Sequence, residues 1–358
     1  MGENMRIQPG IAPIHIYFLI IMSSGLVNHV LIIPLILSAA GRDSWLSVVV
    51  SIVPYIIWIL LIGAVIKKIG NQNFLEYLKT RLGRVPVFLF TVILILYFYL
   101  NAAVTFRDTV TWTKTNYLMN TPMLVLCILL GLLCFFGTYK GIQELSIVTM
   151  IALPMVVAFG CFIAIGNIQH KDYSMLLPIA EHGPGPIING TTYVFSGLTE
   201  LSTLLFLVHY TNKPLKWKHI FLVAFILMGL MIGPLMAAIA EFGPYEASKL
   251  RYPAFEQWKL LTLSKEITRM DFLSIFQWIS GAFIRISLLM YLVTHLIKKT
   301  KYRIWIVSLL YIIAIGYTLA PISNLVIFKH LYHYFFPYQL YVIIPLISVI
   351  CLYVLFKK

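Results

Sequence analysis

Apolar stretches of about twenty residues follow one another along almost the whole chain, each long enough to cross the hydrocarbon core of a bilayer as a helix. Such segments must satisfy their own backbone hydrogen bonds, and a helix does so within itself. The pattern predicts an all-α integral membrane protein of one domain, 1–358, with ten transmembrane helices. These run roughly over 11–38, 44–66, 86–107, 122–139, 144–166, 187–209, 218–241, 271–296, 302–322 and 338–356. With 60% hydrophobic and 11% charged residues and a mean hydropathy of +0.89, the chain does not read as a soluble globular protein.

The net charge of +14 invites a nucleic-acid reading. The bases sit instead in short clusters between apolar runs, the pattern that orients membrane proteins, so no nucleic-acid partner is expected and membrane lipid is. With the N-terminus placed in the cytoplasm, sixteen Lys and Arg fall on the cytoplasmic side. Five fall opposite when the long 243–270 loop is left out. Both termini are therefore expected to be cytoplasmic. The first apolar run is too long for a signal peptide. Cys127, Cys134, Cys161 and Cys351 all lie within apolar runs and read as small buried hydrophobes, so neither a disulfide framework nor a metal is expected. His330 and His333 lack an evident third ligand. No Ser-His-Asp, Walker or zinc-protease spacing occurs in a suitable context, so neither catalytic residues nor a cofactor are expected.

Two apolar runs are interrupted. Ser23-Ser24-Gly25 falls in the first, and Phe195-Ser196-Gly197-Leu198-Thr199-Glu200 in the sixth. Irregular backbone at membrane depth is tolerated where it lines a cavity or is covered by protein, so each break predicts a cavity or a close helix contact. An ionisable residue inside a span is expensive and marks function, which singles out Glu200, together with Arg285 near the centre of span eight. The interrupted spans begin two five-span halves, 11–166 and 187–356, joined by a connection at 167–186. An odd number of spans per half forces the halves into opposite orientations, the inverted-repeat arrangement in which two broken helices meet near the midplane. Glu144 reads as a helix cap. The segments 71–84 and 254–267 read as amphipathic surface helices, the latter within an outer amphipathic segment, 243–270.

The stretch Leu250-Arg251-Tyr252-Pro253-Ala254-Phe255, followed by Arg269-Met270-Asp271, Trp278 and Arg285, resembles the spore germination permease family, the B-type membrane subunits of nutrient germinant receptors. Gly25 through Pro34 and the Gly197/Glu200 pattern are also similar to that family, which belongs to the amino acid–polyamine–organocation superfamily. The resemblance spans nearly the whole chain. It implies a LeuT-type 5+5 inverted repeat with broken helices 1 and 6, an amino-acid-sized germinant, A-type and C-type partner subunits, and the inner membrane of the spore. Ser23-Ser24-Gly25-Leu26 departs from the Gly-x-Gly break usual in the superfamily's transporters.

For an amino-acid ligand, a half-helix beginning after Gly25 would offer the N–H groups of Leu26 and Val27 to the carboxylate. Carbonyls near Phe195, Ser196 and Gly197 would accept from the ammonium, with Ser24 and Thr199 adding hydroxyls and Tyr97 and Phe283 forming the wall. Glu200 and Arg285 are expected to act as a buried charge network. Spans one and eight flank a sodium site in LeuT-type folds, so the resemblance implies that Arg285 stands in for that cation. Three functions fit: a ligand-sensing receptor subunit, a secondary amino acid transporter moving the same substrate class, and a structural membrane anchor.

Overall fold

A computed structural model of the chain describes residues 10–262, 269–297 and 300–357. Among them, nine helical stretches are long and apolar enough to cross a membrane, and Arg303–Leu319 is a shorter apolar helix of 17 residues. A helix of that length lies at the lower end of what spans a bilayer. Span one comprises Pro13–Leu26, a π-helical segment Val27–Ile32 and Ile33–Ala40. A corner at Gly41, whose φ of 53° suits a residue without Cβ, leads into span two, Ser44–Val50 and Ile52–Ile69. After the short amphipathic helix Phe74–Leu82 come span three, Arg84–Asn116, span four, Met123–Lys140, and span five, Ile142–Gly166. Span three extends more than two turns beyond the expected end at 107.

Span six begins as Pro184–Leu198, tightens into a 3-10 segment at Thr199–Thr203, and ends through Leu204–Leu207 and Val208–Tyr210. Span seven is Trp217–Phe242, span eight Leu273–Ile297 and span nine Arg303–Leu319. Span ten, Asn324–Phe356, contains two π-helical segments, Leu331–Phe335 and Gln339–Ile343. The expected surface helix at 254–267 forms over Pro253–Leu260, and its remainder falls partly outside the described residues.

Prolines explain the π turns. Each π segment ends two residues before one: Ile32 before Pro34, Phe335 before Pro337 and Ile343 before Pro345. Proline has no N–H for the carbonyl four residues back, and the preceding turn widens to i→i+5 pairing. The expected unwound breaks do not form. Span one stays helical through Gly25, with the Val27 N–H bonded to the Ser24 carbonyl, and span six narrows instead of opening.

Contacts between connecting segments sort the bundle into two ends. At one, Ile11 pairs with Tyr210 and Asn212, Asn71 with Thr211, Arg81 with Lys357, and Arg303 with Thr138. This end gathers the basic clusters of the sequence. At the other, Arg42 bonds Leu177, Asp172 bonds Ala240, Asn167 bonds Gln257 and Tyr117 bonds Asp271. The latter is called the connection face here.

Candidate ligand-binding site

A guanidinium that enters a bundle core needs a partner for each of its five N–H donors. Arg285, wholly buried in span eight, finds all five, drawn from spans one, three and six. Its Nη1 and Nη2 grip the two oxygens of Glu200 in span six at 2.5 Å each. Nη1 also donates to the Ser23 carbonyl in span one at 3.2 Å. Nε donates to Thr105 Oγ1 at 2.9 Å and Nη2 to Asn101 Oδ1 at 3.2 Å, both in span three. Gln339 in span ten donates to the same Asn101 oxygen at 3.3 Å. The centre carries one positive and one negative charge, both desolvated and fully hydrogen-bonded, the condition under which a buried pair offsets its desolvation cost.

Beside this satisfied cluster lies an unsatisfied one. Asn28, in the π segment of span one, is fully buried, and neither its amide N nor its amide O has a protein partner. It is pressed against Gly197 of span six: a Cβ added there would sit 2.2 Å from Asn28 Oδ1. Gly197 is thus required by close approach, its chain remaining ordinary helix. The next residue, His29, has Nδ1 3.4 Å from the Leu230 carbonyl in span seven. That carbonyl is free because Pro234, four residues on, has no N–H to give it, and a carbonyl acceptor places the proton on His29 Nδ1. The Tyr97 hydroxyl, buried without a partner, lies within electrostatic reach of Glu200 and Arg285.

The other expected site residues are dispersed. Leu26 closes the first α-helix and packs on Gly281 of span eight, and Gly25 faces Leu230. With the helix unbroken, Leu26 and Val27 do not present the free N–H pair expected of them. Ser24 and Val27 are buried close by. The Phe195 carbonyl already accepts from the Thr199 N–H and, at 2.8 Å, from the Thr199 hydroxyl, so it is not an open acceptor for an ammonium. Ser196 donates to the Thr192 carbonyl at 2.8 Å and to the Phe336 carbonyl at 2.6 Å, while Tyr193 donates to the Tyr332 carbonyl at 3.2 Å. These last two bonds tie span six to the π-distorted part of span ten. Phe283 leaves the site altogether. Its ring packs where a Cβ on Gly137 of span four would fall at 2.8 Å. Residues 283 and 285 stand roughly 200° apart around a helix, so both cannot face the centre.

Asn28, Asn101, Thr105 and Gln339 are central residues that the sequence reading did not single out. The signal was present, since each is a polar side chain in an apolar run. Among the described residues, no group of three or more His, Cys, Asp or Glu is placed to hold a metal.

The described parts of the family-like stretch, 250–262 and 269–278, have a structural task. Trp112 of span three stacks on Trp278 at 4.1 Å between ring centroids and meets Tyr117 and Phe255 edge-on, while Tyr252 meets Trp278 at 5.2 Å. Asp108 of span three receives Arg251 Nη2 at 2.6 Å and the Tyr252 hydroxyl at 3.1 Å. Arg269 bonds both oxygens of Asp271, and its proximity holds that carboxyl below the usual carboxylate range. Together these contacts dock the segment onto spans three and eight. Between them and span ten they leave a cavity of about 630 Å³ on the connection face.

Comparison with known proteins places the chain in a family. The family model described as spore germination protein matches residues 11–323. The chain is 39% identical over 324 residues to spore germination protein XB of Bacillus anthracis, covering 90% of this chain and 91% of that protein. It is 24% identical over 264 residues to spore germination protein KB of Bacillus subtilis (strain 168), covering 71% and 69%.

Proposed function

The chain belongs to the spore germination protein family, and from that premise we propose that it is the ligand-sensing membrane subunit of a nutrient germinant receptor. In this reading the germinant is a small, amino-acid-like zwitterion held where spans one and six meet. A-type and C-type subunits relay the signal, in the inner membrane of the spore with both termini cytoplasmic. The two halves take the inverted 5+5 arrangement of LeuT-type proteins.

The observation that carries the reading is the unpaired Asn28 amide against Gly197. Burying an amide without partners costs a few kcal/mol, roughly 1–3 by protein measurements, and a bound ligand repays that cost. One amide offers both a donor for a carboxylate and an acceptor for an ammonium. The neighbouring Arg285–Glu200 pair is already neutralised, so the pocket suits a ligand without net charge. Ser24, Tyr97 and Thr199 complete the polar surroundings. A sensor also needs two states of differing affinity, and helices bent by π and 3-10 turns supply pivots for them.

The test is a screen of amino acids and sugars for thermal stabilisation of the purified protein in detergent, repeated on Asn28→Leu and Gly197→Ala. The reading expects protection by one amino acid class and its loss in both variants. Protection that survives both substitutions sinks the site. Saturable flux of the protecting compound into proteoliposomes would recast the chain as a transporter using the same site.

A further inference from the structure

The cavity on the connection face holds a charge that the fold leaves unanswered. Arg107 lines it from span three and is only 4% exposed. Its guanidinium is held by main-chain carbonyls, Tyr317 O and, at 2.8 Å, Ile322 O. It also lies over the Tyr317 ring at 5.1 Å. Its Nε–H is buried with no partner. Among the described residues Arg107 forms no ion pair, because its chain neighbour Asp108 is taken by Arg251. Carbonyls and a ring face stabilise a cation only in part. A desolvated guanidinium facing a roomy cavity is the arrangement that recruits a carboxylate.

The rest of the lining defines the ligand further. Phe328 and Leu331 of span ten and Val104 of span three give the cavity an apolar wall. Asp108, the one carboxylate of the lining, receives both of its bonds on a single oxygen, Oδ1. Lys249 and Arg251 also line the cavity but are paired with Glu246 and Asp108, so the cation left over is Arg107. A cation, a carboxylate and an apolar wall within about 630 Å³ match an aliphatic α-amino acid, and the volume falls in the range of small-molecule sites. We infer that this cavity is a second binding site, separate from the Asn28 centre, taking a small aliphatic carboxylate through Arg107. Val104 of its lining is followed in the chain by Thr105, which already holds Arg285. A ligand seated here lies one residue along span three from the central charge cluster. The segment 248–252 also lines the cavity, with Arg251 fixed to Asp108.

The experiment places an environment-sensitive fluorophore at the cavity rim, on Thr115→Cys in a Cys161→Ser background, in the purified full chain. The probes are L-leucine, 4-methylpentanoate, which keeps the carboxylate and lacks the ammonium, and L-leucinamide, which lacks the carboxylate. L-leucine and 4-methylpentanoate are expected to shift the emission saturably, and L-leucinamide is not. Arg107→Gln is expected to weaken the response about tenfold or more, the loss of a charge-assisted contact. Arg107 also braces span nine and the connection after it, so Thr111→Trp, which fills the cavity from a half-buried position, serves as the second variant and is expected to abolish the response. Asn28→Leu is expected to leave it intact. An equal response to L-leucinamide overturns the proposal, as does a full response in Thr111→Trp. A response lost in Asn28→Leu but kept in Arg107→Gln overturns it too, since it would report the inner site. Conversely, a normal rim response with no effect of Asn28→Leu on thermal protection removes the inner site and leaves this one standing.

Discussion

Arg285 and Glu200 are 85 residues apart in the chain and face each other as a two-pronged ion pair, each terminal guanidinium nitrogen on its own carboxylate oxygen. Removing one partner of a buried pair leaves an uncompensated charge and costs about 3–5 kcal/mol. Glu200→Leu and Arg285→Met should each lower the thermal midpoint of the detergent-solubilised protein markedly. The double variant should lose less than the sum of the two, because coupled groups are not additive. Additive losses in a double-mutant cycle would show that the pair is not an energetic unit.

At the contact of spans one and six, Gly197→Ala drives a methyl to within 2.2 Å of Asn28 Oδ1, so the amide must move. Gly233, with nothing within 4 Å of its added Cβ, is the control. Ligand protection should fall about tenfold or more in apparent affinity for Gly197→Ala, the loss of one good hydrogen bond or more, and stay unchanged for Gly233→Ala. Equal behaviour of the two alanines in a titrated melting assay would contradict the contact.

Overpacking should show where helices touch most closely. A Cβ on Gly63 of span two would meet the Trp217 ring at 1.8 Å. Gly63→Ala is expected to cost about 1–3 kcal/mol through forced displacement of that ring. The change in Trp fluorescence on unfolding should move with it, while Gly229→Ala, in open space, stays silent.

The Asp271 carboxyl titrates below its ordinary value of 3.8, chiefly because Arg269 hydrogen-bonds to it. A depressed folded-state value means the stabilisation is present above the unfolded value and is lost as pH falls through the folded one. Between about pH 5 and pH 2 the native protein should therefore lose a small increment that Asp271→Asn lacks. The increment is small because Arg269 lies in solvent. Parallel pH–stability curves for the two proteins below pH 5 would refute this.

The Arg285 guanidinium covers the Ser23 carbonyl of span one and faces Glu200, filling the ground between spans one and eight with a fixed positive charge. A sodium ion brought there would meet that charge at close range. Ligand protection should be the same in sodium and in choline chloride at equal ionic strength. A sodium-dependent gain would show that a cation shares the site.

Much of this was legible in the residues. Charged side chains in apolar runs are costly, so Glu200 and Arg285 stood out as a charge network, while their direct contact is visible only in the structure. The spacing of the prolines also carried information that was not extracted. Pro34, Pro337 and Pro345 each end a π turn two residues upstream, whereas the break was expected at Ser23-Ser24-Gly25. A Gly-Ser pair permits either unwinding or close packing, and here Gly25 packs under Leu230 in regular helix. Phe283 was misplaced for a different reason. A helix apolar all round carries no phase, so the sequence does not say which neighbour each face meets. Asn28 did not stand out, because only the approach of Gly197 reveals that its amide is left without a partner.

The guanidinium that joins span eight to spans one, three and six has a consequence for how the protein is made. Glu200 leaves the ribosome 85 residues before Arg285, an interval of roughly 4–17 s at ordinary elongation rates. Throughout it, span six must lodge in or beside the insertion machinery with its acid unpaired, kept protonated or in contact with water. Gln339 arrives later still. The centre of this bundle therefore closes late in biosynthesis, and until span eight is delivered the nascent protein holds a membrane-embedded acid in search of its base.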